Sequence, residues 1–133
     1  MSAVAEVYDL LTADTLLDGI VDGRIYAGWL PESEANSAGA EFPCLVYRQV
    51  SLAPDVRTHD GTNGWERPRF AFDCWGAADE SASAYANAHA IADAVKPLIR
   101  AASFRIENEV DLPDPQPRLH RVILDAVLWT DAD

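Results

Sequence analysis

Apolar residues near the start of the chain recur at the spacing of one helix face: Val4, Val7, Tyr8 and Leu11 fall at i, i+3, i+4 and i+7. Asp14 and Leu17 continue that helix or restart it after a short break, and Gly19 with the Asp22-Gly23 turn ends it. Arg24-Ile25-Tyr26 then opens an extended segment. Residues 31–43, PESEANSAGAEFP, place small and acidic side chains between two prolines and predict a surface loop. The run CLVYRQV at 44–50 is rich in β-formers and reads as a strand. Residues 51–65, SLAPDVRTHDGTNGW, hold Pro54, Asp60-Gly61 and Asn63-Gly64, which predicts a long exposed connection between two strands.

The period then becomes two. In RPRFAFDCW, Phe70, Phe72 and Cys74 share one face, while Arg69, Ala71, Asp73 and Trp75 share the other. Gly76 to Ala78 turn the chain, and Asp79 is the expected N-cap of a helix over 79–100. Ala84, Ala88, Ile91, Val95 and Leu98 form its apolar stripe, with Tyr85 and Ala92 at the edge. The alanines favour close approach to a sheet, and Pro97 is expected to kink or close the last turns. A short strand at 103–110 precedes the proline-rich linker DLPDPQP. In the final strand, RLHRVILDAVLW, Val122, Leu124, Ala126 and Leu128 face inward, and Arg121 and Asp125 outward. No heptad or internal repeat is present. The pattern predicts a single α+β domain over residues 1–133, an antiparallel (mixed) β-sheet with two α-helices packed on one face.

Charge changes what this domain is expected to bind. Against 22 acids the chain sets 10 Lys and Arg, a formal net charge of −12, which argues against wrapping nucleic acid through its phosphates. Lys96 is the one lysine; the other basic residues are arginines, suited to planar contacts with carboxylates at interfaces. The start MSAVAEVYDLL lacks a basic segment followed by an apolar core, so it does not read as a signal peptide. No apolar run approaches the ~20 residues of a membrane span. Cys44 and Cys74, with the dispersed His59, His89 and His120, match no zinc spacing, so neither metal nor cofactor is expected.

Enzymatic readings find little support. A nucleophilic Cys74 would need a base in reach and an electropositive setting, yet it alternates with two phenylalanines and neighbours Asp73, Asp79 and Glu80. It reads as core. A Cys44–Cys74 disulfide is geometrically conceivable between paired strands but is disfavoured in a reducing cytosol. His89 reads as a surface or packing residue of its helix. His59-Asp60 resembles half of an acid–base pair without a visible nucleophile. Asp111, Asp114, Asp131 and Asp133 lack calcium-loop spacing, and no phosphate-cradling glycine motif is present. Tryptophans and arginines say more, because both are enriched at protein interfaces. Trp29, Trp65 and Trp75 fall in loops or on the outward strand face, with Arg57, Arg67 and Arg69 close by. The candidate interface set is Arg57, His59, Asp60, Trp65, Arg67, Arg69 and Trp75; the plainer alternative is that one or two Trp rings cap the edge of the core.

Three segments together resemble the tail terminator or tail-completion group of siphophage proteins. They are an N-terminal helix leading into DGIVDGRIYAG, the strand FPCLVYRQVS with a turn-rich DGTNG loop, and RPRFAFDCWGAADESASAYANAHAIADAVKPLI. The resemblance covers nearly all of residues 5–102, and the C-terminal segment agrees only as a final strand. It implies a homo-oligomeric ring, a hexamer, that caps the head-proximal end of the tail tube, stops its polymerisation and docks the head connector. The implied partners are the tail-tube protein and the connector or neck protein. DNA would pass through an acidic lumen without specific binding, in a virion tail or neck assembled in the host cytoplasm. No enzymatic activity is implied. Similar folds occur in other neck and tail-tube proteins, which is an alternative position in the particle. A non-viral α+β oligomeric binding module and a small cysteine-dependent hydrolase or redox protein are the other readings. Ring formation separates the first of these from the phage reading, and thiol reactivity the second.

Overall fold

The computed structural model describes residues 3–28, 42–57, 63–78, 83–113, 119–128 and 130–131. In chain order these form α1 (Ala3–Thr12), α2 (Thr15–Val21), β1 (Ile25–Ala27), β2 (Cys44–Arg57), β3 (Asn63–Ala77), α3 (Ala84–Ala101), β4 (Phe104–Pro113), β5 (Leu119–Leu128) and β6 (Thr130–Asp131). The strands order as β1-β2-β3-β5-β4, with β6 paired to the start of β3. β1 runs parallel to β2, and the other pairs are antiparallel. The α+β class with a mixed sheet is as the sequence predicts; of its two readings of the N-terminal stretch the helix restarts, so the domain has three helices rather than two. Asp14 accepts a hydrogen bond from the Leu17 N–H at 2.9 Å and caps a fresh start. Asp22, with φ at 52°, and Gly23, with φ at 75°, then turn the chain left-handed to end α2.

One apolar cluster lies between sheet and helices. Leu45 and Tyr47 of β2, Phe70, Phe72 and Cys74 of β3, and Val122, Leu124 and Ala126 of β5 meet Val7, Leu11, Leu17, Val21, Ala88, Ile91, Val95 and Ile99 from the helices. Phe104 sets its ring edge-on to Phe70 and Phe72, with centroids 5.5 and 5.6 Å away. The alanines of α3 have a specific counterpart in Gly76. A Cβ at Gly76 would lie 2.8 Å from Ala88 Cα and closer still to the Ala88 nitrogen and the Ala84 carbonyl oxygen. Helix backbone therefore rests on strand backbone, which only glycine permits at this point.

Several sequence-level expectations need correction. Residues 51–57 and 63–65 are strand, not loop: the β2–β3 register runs from Cys44↔Trp75 to Arg57↔Asn63, interrupted at Gln49/Ser51, Pro54/Val56 and Val56/Arg57. Among the described residues β1 pairs only with Leu45 to Tyr47, so Pro54 lies on a part of β2 that has β3 alone as a neighbour, an edge position in which proline is tolerated. The α3 cap is Ser83, whose hydroxyl accepts from the Ala86 N–H at 3.1 Å; Asp79 lies outside the described residues. Pro97 sits inside α3, which continues to Ala101. Ala94 and Ile99 join the buried stripe, whereas Tyr85 is exposed. β4 extends through Pro113, so the predicted linker begins later, and residues 114–118 lie outside the description. So do residues 31–41 of the predicted acidic loop, and Trp29.

Candidate functional site

The predicted interface residues fall in two places. The backbones of Arg57, Trp65 and Arg67 lie on a two-stranded ribbon that runs past the main sheet: β1 pairs with β2 only at Leu45–Tyr47, and β5 joins β3 only from Arg69 onward. β6 meets this ribbon at Trp65 and Glu66. His59 and Asp60 lie outside the described residues. Arg69 and Trp75 stand on the sheet face opposite the helices, where the alternation of β3 puts them.

That open face is a lattice of arginines and carboxylates. Arg69 Nη1 donates to both Asp125 oxygens at 2.9 and 2.8 Å, and its Nη2 donates to Glu107 at 2.8 Å. Arg105 also donates to Glu107, at 3.1 Å. Nearer β2, Arg48 donates to Asp73 at 2.8 Å, Arg121 approaches the same carboxylate at 3.5 Å, and the Arg121 guanidinium lies 4.7 Å over the Trp75 ring. Phe42 packs on Trp75 with centroids 5.7 Å apart. A bulge between Ile106 and Asn108 leaves Glu107 unpaired in the β4–β5 ladder, which lets it reach across to Arg69. Hydrogen bonds from Arg105 first, and Arg69 next, hold the Glu107 carboxyl below its ordinary pKa, while Asp125 and then Glu107 hold the Arg69 guanidinium above its own.

Beneath the arginine arms, Cys44, Val46, Ala71 and Val127 are buried. Asp73, 3% exposed, is the single buried charged residue among those described. Its Oδ1 and the Arg121 Nε find no hydrogen-bond partner. The surface is thus internally neutralised and pre-ordered, with unused polar capacity at Asp73 and Arg121 and a flat aromatic face at Trp75. Such a surface suits polar protein contact better than catalysis.

The thiol readings separate cleanly. Cys74 is fully buried on the helix face, and burial, followed by the charge of Asp73, pushes its thiol far above the ordinary value. Cys44 pairs with Trp75 across the strands and therefore faces the other side of the sheet, and neither cysteine is in a disulfide. A disulfide between opposite faces is geometrically excluded.

A second polar cluster was not legible in the spacing. His89 of α3, Asp111 of β4 and His120 of β5 meet at the sheet edge: Asp111 Oδ1 lies 2.6 Å from His89 Nε2 and 2.8 Å from His120 Nε2. The Tyr85 ring packs on both imidazoles, with centroids 4.3 and 5.0 Å away. Lys96 holds Glu109 at 2.5 Å, and Glu109 approaches His89 Nδ1 at 4.0 Å. The hydrogen bond from His120, with a further one from His89, holds the Asp111 carboxyl below its ordinary pKa against the opposing effect of burial. The bulge at Glu107 explains the placement, because it reverses the alternation of β4. Phe104 and Ile106 face the helices before it, whereas Glu109 and Asp111 do so after it. Simple period-two counting assigns those carboxylates to the wrong face.

The full-length geometry has a counterpart among solved structures. A chain from the virion of a native gene transfer agent (GTA) particle superposes with a TM-score of 0.71 at 18% identity, over 99% of this chain and 100% of that one, which shows a common fold. No curated protein sequence matches the chain. The family model described as tail completion protein gp17 matches residues 5–131, from α1 to β6. On that match the chain belongs to the gp17 family of tail completion proteins.

Proposed function

We propose that the protein is a non-enzymatic structural component of a tailed-phage virion. It forms a homo-oligomeric ring, a hexamer, at the head-proximal end of the tail, ends polymerisation of the tail tube and joins the tail to the head connector. The observation that carries this reading is the family match across residues 5–131. The fold shared with a chain of a gene transfer agent virion supports it. A closed ring requires two different surfaces of one subunit to meet head to tail. The β2–β3 ribbon, bearing Arg57, Trp65 and Arg67, supplies one surface, with His59 and Asp60 in the segment that follows Arg57 in sequence, and the open face with Arg69 and Trp75 supplies the other. The excess of acids lines a lumen past which DNA slides without sticking. At −12 per subunit, repulsion opposes closure, so assembly strengthens with moderate salt or on contact with the tail tube.

Light-scattering mass with negative-stain images tests this directly. Six-membered rings are the expected result. A particle that stays monomeric at all salt concentrations and in the presence of tail tubes would overturn it. Replacing residues 55–64 by a short Gly-Ser turn is expected to leave the fold intact and abolish ring formation. A normally folded variant that still forms rings and still terminates tails at normal length removes the ribbon from the interface.

A further inference from the structure

We propose that His89, Asp111 and His120 form a binding site for one divalent transition-metal ion of the zinc class, which braces α3 to β4 and β5. Two imidazoles and one carboxylate are a donor set suited to Zn²⁺ and its neighbours rather than to calcium or magnesium. All three ligand atoms already lie within 4.8 Å of one another. Both Nε2 atoms point at the same carboxylate oxygen, at 2.6 and 2.8 Å. Donors on one tetrahedral zinc stand roughly 3.3 Å apart, so the ion enters if the two imidazoles close on it and Asp111 withdraws by about half an ångström. That motion is available, because the Asp111 side chain is 41% exposed while His89 and His120 are 23% and 11% exposed. Water reaches the fourth position from the same side.

The surroundings are those of a metal site. Glu109 stands 4.0 Å from His89 Nδ1, the nitrogen turned away from the ion, and a closer approach would give the carboxylate–imidazole contact that orients a ligating histidine. Lys96 compensates the Glu109 charge, so the ion meets the single negative charge of Asp111. Tyr85 packs on both rings and restricts their rotation. The three ligands come from three different elements, so binding ties together the edge strand, its neighbour and the long helix. The ion stabilises the folded state because the unfolded chain holds no such site.

Tag-free protein would be titrated with ZnSO₄ against a chromophoric zinc indicator, with the melting temperature followed in parallel. The expected result is one equivalent bound at micromolar concentration or tighter, with a rise in melting temperature that EDTA reverses. Cobalt substitution should give the visible absorption of a nitrogen–oxygen ligand set. His120→Ala and His89→Gln are each expected to weaken zinc binding at least about tenfold and to abolish the cobalt spectrum. Circular dichroism checks that the variants fold, and His89→Gln keeps the helix position polar should His120→Ala fail. Unchanged melting with zinc, or equal zinc affinity in a folded double variant, would overturn the proposal.

Discussion

The two faces of the sheet are built from opposite materials. On the helix side, Phe70, Phe72, Leu45, Val122 and Leu124 are completely buried in one apolar cluster. On the other side, Arg48, Arg69 and Arg121 spread over Asp73, Asp125 and small buried residues. The energies differ as much as the chemistry. A buried large apolar side chain contributes roughly 1.5–3 kcal/mol, whereas an exposed ion pair contributes about 0–1 kcal/mol. Folding is therefore secured from the helix side. Above the buried Asp73 and the small apolar residues beneath it, the exposed pairs of the open face add little stability and are free to be shaped by what touches them, which is why Arg69 and its partners are better explained by recognition than by the fold.

The largest effect should come where the helix side is tightest. Gly76→Val is expected to cost more than about 3 kcal/mol, because its Cβ meets helix backbone at Ala84 and Ala88, which cannot swing aside like a side chain. Urea unfolding measures it, and a stability within error of wild type would show that α3 does not rest on β3. Next is Cys74→Ser, at about 1–3 kcal/mol for a buried hydroxyl without a good partner. In the native wild type, a thiol reagent should leave Cys74 unmodified. Fast native-state labelling would revive the nucleophile reading.

Crossing to the open face, the expected costs fall. Asp73→Asn removes the charge that faces Arg48 and Arg121, whose side chains are 41% and 30% exposed and can turn to water. A loss of about 1 kcal/mol is expected by thermal unfolding. A loss as large as that for Gly76→Val would mean that the open face, too, holds the fold together.

The same contrast explains what the sequence could disclose. Strict alternation in Phe70, Phe72 and Cys74 and the 3.6-residue stripe of Ala88, Ile91 and Val95 exposed the helix-side core, because burial enforces periodicity. The parallel pairing of β1 has no such signature: three residues, Ile25–Ala27, join β2 through chain topology alone. Turn-forming residues concealed the ribbon, since Pro54 lies within β2 and Asn63-Gly64 open β3, although all three residue types favour loops. The His89–Asp111–His120 cluster depends on a bulge at Glu107, and a single inserted residue leaves no mark in composition or spacing. Arg69 and Trp75 were correctly placed on the outward face, but their engagement with Asp125, Glu107 and Arg121 is a property of neighbouring strands.

The smallest effect on stability, and the most discriminating one, belongs to Arg69→Met. The substitution keeps the length of the arm and removes the donors to Asp125 and Glu107. Arg105, and then Arg69, depress the Glu107 pKa in the folded state, so that carboxylate is charged and paired there at pH values where the unfolded chain would begin to protonate it. Its contribution is therefore fully present above the unfolded carboxylate pKa and is lost as the pH falls through the lower, folded value. Arg69→Met removes one of the two donors, so its melting curve should lie just below wild type at neutral pH and converge with it in acid. Salt should narrow the gap as well, because both partners reach solvent. Ring formation, scored in the same samples, should fall much further than stability does if the lattice is a recognition surface. Equal losses in folding and assembly would instead make the open face a structural counterpart of the core and erase the difference between the two sides of the sheet.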